Sequence, residues 1–383
     1  MQKILIVGAG FSGAVMAREL AASNRYTILV AEERDHVAGN CHTRRDPETG
    51  IMEHVYGPHI FNTSNKVVWD YINRFGEFSP YINRVKAETN SGTYSFPINL
   101  HTINQLFHKN FNPREARKFV EELGEKKMGV PANFEEQALT LLGREIYENF
   151  LKSYTEKQWG CDPRQLPASV LKRLPVRFNY NDNYYNSQYQ GIPTEGYTHI
   201  IQNLLNHPNI TVKLNSKFTK GHEADFDYVF YTGPIDAYYG FAHGRLGYRT
   251  VYFERHVFDG EDYQGNAVIN YCHDKVPYTR IHEHKHFMPH EKHPKSLYFK
   301  EFSKETQEND IPFYPKSLPH DRDLYGIYRS LALKEEKTSF LGRLATYRYL
   351  DMHHVIDEAL QLAHKFINRK GDLRTFQKLS DSL

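Results

Sequence analysis

Cysteine is scarce: Cys41, Cys161 and Cys272 are the three in 383 residues, an odd number at wide spacing. They leave no disulfide framework and no cysteine-built zinc site to argue for, and they suit a reducing cytoplasm. Long hydrophobic runs are missing too. No stretch approaches the ~18 apolar residues of a spanning helix, and residues 1–8 lead directly into a strand pattern, so neither anchor nor signal peptide is expected. Charge of one sign is lacking. A net charge of +2 gives nucleic acid no basic footprint to bind. Repeats and low-complexity tracts are absent. Aromatic residues are what the chain has in quantity, with 27 tyrosines and 24 phenylalanines. Tyrosine offers an apolar ring with a hydroxyl handle, which suits walls around planar or sugar ligands, although most of the 27 are expected on ordinary surface.

The length allows one large core or two to three packed domains. Residues 3–7 form a short apolar run, Gly8-Ala9-Gly10-Phe11-Ser12-Gly13 follows, residues 14–22 turn helical, and residues 26–31 read as a second buried strand. This is a βαβ opening. Residues 101–160 become charged and helical, and Pro163, Pro167 and Pro175 then break the pattern into a loop. Residues 247–301 are strand-rich. Near the end, "TSFLGRL" resembles a strand entering a glycine turn. Asp351 then precedes a helix with Met352, Val355, Ile356, Ala359, Leu360 and Ala363 on one face. The expected class is α/β: a Rossmann-type FAD-binding domain with a helical insertion and an antiparallel-sheet insertion. Residues 1–78, 198–246 and 318–383 are assigned to the first, 100–172 to the second, and 79–99, 173–197 and 247–317 to the third.

The glycines have physical reasons. Gly8 permits the tight turn, Gly10 lets a pyrophosphate approach the backbone, and Gly13 lets helix and strand pack closely. The helix N-terminus adds amide donors and partial positive charge. Glu32 lies 19 residues beyond Gly13, where a carboxylate can bind ribose hydroxyls. The following "ERDHVAGN" resembles the ExRxxxGG extension of two-domain flavoproteins, with Ala38 in place of the first glycine of the pair. "GRLATYRYLDM" resembles the closing flavin-contact motif of such proteins. FAD is therefore preferred over NAD.

Longer strings carry a more specific likeness: "YGPHIF" (56–61), "FPINLHTI" (96–103), "YTEKQWG" (154–160), "LPASVLKRLPVRFNYNDNYYN" (166–186), "YTGPIDAYYG" (231–240) and "GRLGYRT" (244–250). With "NAVINYCHDKVPYTRIHEHKHF" and the C-terminal motif, the chain resembles UDP-galactopyranose mutase of the bacterial type over essentially its full length. In that family reduced FAD interconverts UDP-galactopyranose and UDP-galactofuranose without net redox change, flavin N5 acting as nucleophile on the anomeric carbon and UDP leaving. The resemblance implies catalytic roles for His59 beside the flavin and for Arg173 and Arg280 at the diphosphate. Arginine forks suit a leaving diphosphate, being planar, bidentate and always charged. Tyr314 and Tyr349 match phosphate-donating tyrosines, Trp159 an aromatic beside the substrate, and Tyr184 a residue against the uracil. Asn83, Tyr154, Arg249 and Asn270 match further substrate contacts. Phe11, Ser12, Glu33, Gly39, Asn40, Ile60, Arg343, Tyr349, Asp351 and Met352 match flavin contacts. A homodimer, an outside reductant such as NAD(P)H and a place in cell-surface polysaccharide supply are implied likewise.

Two points stay separate. His282, His284 and His286 alternate, which on a strand puts all three on one face, but no carboxylate or cysteine completes a site and no metal is expected. Asn62 stands in "HIFNT" where the family commonly has a second histidine, which leaves open UDP-N-acetylgalactosamine or dTDP-fucose as the sugar donor. From other classes, a flavin amine oxidase-type oxidoreductase and a non-catalytic flavin binder compete.

Overall fold

Strand Gln2–Val7, helix Phe11–Ala22 and strand Tyr26–Ala31 form the expected βαβ unit, the strands parallel from Gln2↔Tyr26 to Val7↔Ala31. The computed structural model describes residues 1–125, 129–173 and 176–368, without the side chains of Ser169, Lys172 and Arg173. Distant segments complete a five-stranded parallel sheet, in the order Ile210–Lys213, Tyr26–Ala31, Gln2–Val7, Tyr228–Tyr231, Thr338–Phe340. A parallel sheet needs cover on both faces. On one, helices Phe11–Ala22, Gly196–Leu205 and Met352–Asn368 bury Val15, Leu20, Ile200, Leu204, Ile356 and Ala359. On the other, helix Pro319–Ala332 brings Tyr328 against Leu5, Val229 and Phe340.

The second sheet has seven strands: Tyr314–Pro315, Tyr248–Phe258, Ser296–Glu305, Arg280–Glu283, Val268–Tyr271, Val85–Thr89 and Gly92–Phe96. It is mixed rather than purely antiparallel, because Val85–Thr89 and Val268–Tyr271 run parallel. The chain leaves this sheet after Phe96 and returns through other units, so no hairpin dictates the direction of that pair. Four helices follow Phe96 in the helical segment, Leu100–Phe107, Pro113–Leu123, Phe134–Ile146 and Lys152–Trp159. Asn99, Asn112 and Asn133 cap the first three, with Pro113 at the first position and Glu115 closing a capping box. Gly143, at φ +77°, kinks the third.

The alternation of His282, His284 and His286 does not persist. The strand ends at Glu283 and a 3-10 turn, His284–Phe287, follows. His282 and His284 are fully buried, whereas His286 turns to Asp262 and Glu283 at 3.3 and 3.4 Å. His54 lies in the same interior, its backbone N–H donating to Nδ1 of His284 at 3.2 Å. Burial drives His54 down to about 3, and burial with the neighbouring His36 drives His42 to about 4. Burial also keeps His284 well below the usual histidine range. These rings are neutral in the folded protein at neutral pH.

Unfolding returns them to about 6.5, so the unfolded chain takes up protons that the folded chain refuses as pH falls from about 6.5 toward 4. Each such ring costs up to about 1.4 kcal/mol per pH unit in that window. Urea unfolding from pH 7.5 downward should show stability falling steeply below pH 6.5, with uptake of roughly two or more protons. A profile flat to pH 4.5 contradicts this.

Candidate active site

A cleft of about 1580 Å³ opens at the carboxyl ends of the parallel strands, where Val7, Ala31 and Tyr231 line it, and extends to the seven-stranded sheet. Carboxyl ends of parallel strands are where open α/β sheets bind ligands. The three glycines do different work there. Gly8 stands at φ +100°, and a Cβ on it would meet Thr232 Oγ1 at 2.1 Å. A Cβ on Gly13 would lie 2.0 Å from the Gly8 carbonyl oxygen. Gly10 has ordinary φ and nothing within 4 Å of its Cβ position. Gly8 and Gly13 are needed by the fold, whereas Gly10 keeps space open. Gly10 is also the N-cap of helix Phe11–Ala22 and no side chain caps it. The helix-start amides therefore remain available to an anion.

Glu32 is buried, its Oε2 accepting from Ala9 N at 2.7 Å and its Oε1 from Arg34 N at 3.0 Å. It holds the glycine loop as well as lining the cleft. Arg34 lies over Tyr56, 4.7 Å from the ring centroid, and donates from Nη2 to Asn40 Oδ1 at 2.8 Å. Its Nη1 is buried without a partner among the described residues. Glu33, Gly39, Asn40, Phe11 and Ser12 line this half, and Ile60, Arg343, Asp351 and Met352 line the half toward the second sheet. This donor set, with an unspent guanidinium and the open Gly10 backbone, fits a dinucleotide cofactor.

Register builds the other half. Asn270, Arg280 and Glu301 are cross-strand partners on three adjacent strands, so they stand abreast. Arg280 Nε lies 3.0 Å from Glu301 Oε1, and Glu301 Oε2 is 2.8 Å from His282 Nε2. Burial opposes ionisation of Glu301, yet Arg280 and His282 hold its carboxyl below the usual range. Tyr314 and Tyr349 stack at 5.2 Å and 11°, with Arg343 4.9 Å from the Tyr349 ring and 5.6 Å from Tyr314. Tyr184 packs near Phe96 and Tyr185, and its N–H donates to the Asn83 carbonyl at 2.8 Å. Asn83 and Asn270 each keep a buried Oδ1 without a donor among the described residues. Orphaned buried acceptors cost stability unless a ligand supplies hydrogen bonds.

His59 pairs through Nδ1 with the Gly57 carbonyl at 2.8 Å, and burial lowers it to about 4. A neutral ring donating from Nδ1 leaves Nε2 as an acceptor. Asn62 lines the cleft, its Oδ1 accepting from Ser187 Oγ at 2.9 Å.

Four expected residues are placed elsewhere. Gly13 is buried in the helix–strand contact. Tyr154 lies behind Arg280, 6.0 Å from its guanidinium, and Trp159 packs at the edge of the helical core. Arg249 is buried away from the cleft, where Gln158 O, Ser303 Oγ and Glu305 occupy its guanidinium. The Arg173 side chain lies outside the described residues. Conversely, Arg34, Tyr56, Tyr185 and Glu301 line the cleft without having been singled out. Arg34 is the arginine of the ExR string, a signal that was available, whereas nothing local marks Glu301. Asp351, His353 and His354 bring ligand atoms within 4.8 Å of one another, but they crowd a helix N-terminus, whose positive end disfavours a cation.

The sequence model of the UDP-galactopyranose mutase family matches residues 149–349, and that of an NAD(P)-binding Rossmann-like domain matches residues 6–75. A Klebsiella pneumoniae protein named "Probable UDP-galactopyranose mutase" is 52% identical over 96% of this chain and 95% of its own. The dTDP-fucopyranose mutase of Escherichia coli is 47% identical over 97% of this chain and 100% of its own. In structure, the chain is similar to a reduced UDP-galactopyranose mutase, with TM-score 0.77 and 15% identity over 97% of both chains. A putrescine oxidase shares the fold at TM-score 0.61 and 11% identity, over 96% of this chain and 99% of the other. The Rossmann glycine loop, the register-built arginine site and these relatives agree: the chain belongs to the UDP-galactopyranose mutase family, an enzyme family of isomerases.

Proposed function

We propose that this enzyme interconverts UDP-galactopyranose and UDP-galactofuranose on FAD, with the Arg280–Glu301 pair in a cleft shared with the glycine loop as the carrying observation. Gly10, the first amides of helix Phe11–Ala22, Glu32 and Arg34 hold the dinucleotide. Asp351 and Met352, which line the cleft at the start of the last helix, would help to hold its ring. The chemistry that a bound reduced FAD would supply is a nucleophilic flavin nitrogen for the anomeric carbon. The remaining work belongs to the chain. Arg280, kept in place by Glu301, binds the diphosphate and stabilises charge as it leaves, with Arg173 as its partner from the preceding segment. The Tyr314 and Tyr349 hydroxyls donate to the same phosphates. Tyr184 stacks on the base, and Asn83 and Asn270 accept from hydroxyl donors. His59 accepts a hydrogen bond beside the flavin, since its neutral ring is not an acid near pH 7. Tyr154, beside the Arg280 guanidinium, backs that side chain. The family likeness adds a homodimer, an NAD(P)H-type reductant, a cytoplasmic location and the three-part domain division to this reading.

A second reading keeps the chemistry and changes the sugar. The dTDP-fucopyranose mutase relative and Asn62 favour it, because a buried site that hydrogen-bonds one substituent rejects analogues lacking it.

Three experiments test these assignments. Gly10→Ala should leave apo-protein stability within about 0.5 kcal/mol while cutting flavin affinity by about tenfold or more, and Gly13→Ala should cost about 3 kcal/mol or more. Normal flavin loading of Gly10→Ala overturns the pyrophosphate assignment. Dithionite-reduced protein should convert UDP-galactofuranose and oxidised protein should not, with Arg280→Ala lowering kcat/KM by about 100-fold; peroxide formation with net oxidation of substrate would favour the oxidase class. Finally, Asn62→His should shift the ratio of kcat/KM for UDP-galactofuranose against the dTDP-fucose pair, and an unchanged ratio removes Asn62 from specificity.

A further inference from the structure

The turn that joins the two strands bearing Asn270 and Arg280 is tied to a single cation. Lys157 Nζ donates to the carbonyl oxygens of Tyr271 at 2.8 Å, His273 at 2.9 Å, Tyr278 at 2.9 Å and Val276 at 3.3 Å. Tyr271 ends strand Val268–Tyr271, and the other three lie in the connection from it to strand Arg280–Glu283. An ammonium has three N–H donors, so four acceptors consume them and none remains for a ligand. Carbonyl dipoles converging on one point repel one another without a positive charge among them. The arrangement has a cost, because burial lowers Lys157 to about 8.

The lysine is itself anchored. Its neighbour Gln158 offers its carbonyl to Arg249 Nε at 3.0 Å and to Ser303 Oγ at 2.7 Å. Ser303 lies on strand Ser296–Glu305, which also carries Glu301, the partner of Arg280. The end of helix Lys152–Trp159 therefore binds two things at once: the strand that holds Glu301, and the turn that leads into Arg280. One helical turn earlier, Tyr154 sits 6.0 Å from the Arg280 guanidinium.

We propose that Lys157 is a positioning residue for diphosphate binding, setting Asn270 and Arg280 against Glu301 by closing the turn between them around its ammonium. It touches neither substrate nor cofactor and acts through the backbone of the turn. The inference rests on the proposed diphosphate role of Arg280.

The experiment uses the full-length flavin-loaded protein and measures UDP affinity by calorimetry, together with kcat, KM, flavin absorbance and thermal stability. Lys157→Met should raise the UDP Kd and the substrate KM by about tenfold, with kcat within about threefold and the flavin spectrum unchanged. Lys157→Cys treated with 2-bromoethylamine regains a side-chain ammonium at nearly the original reach, and should recover most of the lost affinity; alkylated wild type controls for the other cysteines. Should Lys157→Met not fold, Lys157→Gln serves with the same expectation. Unchanged KM and Kd overturn the proposal. So does a proportional loss of stability, kcat and affinity that the restored ammonium leaves in place, which marks a purely structural lysine. Failure of the wild type to bind UDP overturns the diphosphate reading instead, so the two failures are distinguishable.

Discussion

The cleft depends on one close approach, that of the first helix to the first strand at Gly13. The Gly8 carbonyl occupies the space where a Cβ would stand, so the helix begins directly above the strand end. Everything on the nucleotide side inherits its position from this contact. Thr232 closes the far side of Gly8, donating to the Val7 carbonyl at 2.7 Å. Glu32 ties the loop to the second strand through Ala9 N, and Ala38 N reaches the Ala9 carbonyl at 2.9 Å. Ala38 takes φ +79°, the left-handed conformation that the glycine of the usual pattern adopts without strain. The geometry of the motif thus survives the change of residue.

The far half of the cleft is held by charge. Glu301 is almost wholly buried, and Arg280, with His282 and Thr279, holds its carboxyl below the usual range there. Breaking such a buried pair leaves an uncompensated charge, so the carboxylate fixes the guanidinium in place. Aromatic rings fill the spaces between these groups, with Tyr314 on Tyr349 and Tyr184 beside Phe96 and Tyr185. The tyrosine-rich composition finds a use here, although many other tyrosines, such as Tyr197 and Tyr328, are core.

The βαβ unit, the helices of the segment after His101 and the strand at Tyr248–Phe258 were legible because their signals are local, set by side-chain period. The same reasoning misjudged His284 and His286, since a two-residue period continues on paper after the strand has ended at Glu283. It was silent on Glu301, an acidic residue in an ordinary alternating strand. The family resemblance, rather than any local pattern, assigned Arg249 to the substrate, and in the fold that guanidinium meets Gln158, Ser303 and Glu305.

By itself, the sequence determined the Rossmann-type opening and which glycines matter, because these rest on residues close in the chain, and the likeness to one mutase family, because each of its many strings is itself local. Tertiary structure alone decided that Arg280 faces Glu301. It alone decided that Tyr314 stacks on Tyr349 and that Lys157 closes a turn more than a hundred residues away. These depend on strand register and on which faces are buried, quantities that pairing between distant segments sets and that no local pattern encodes.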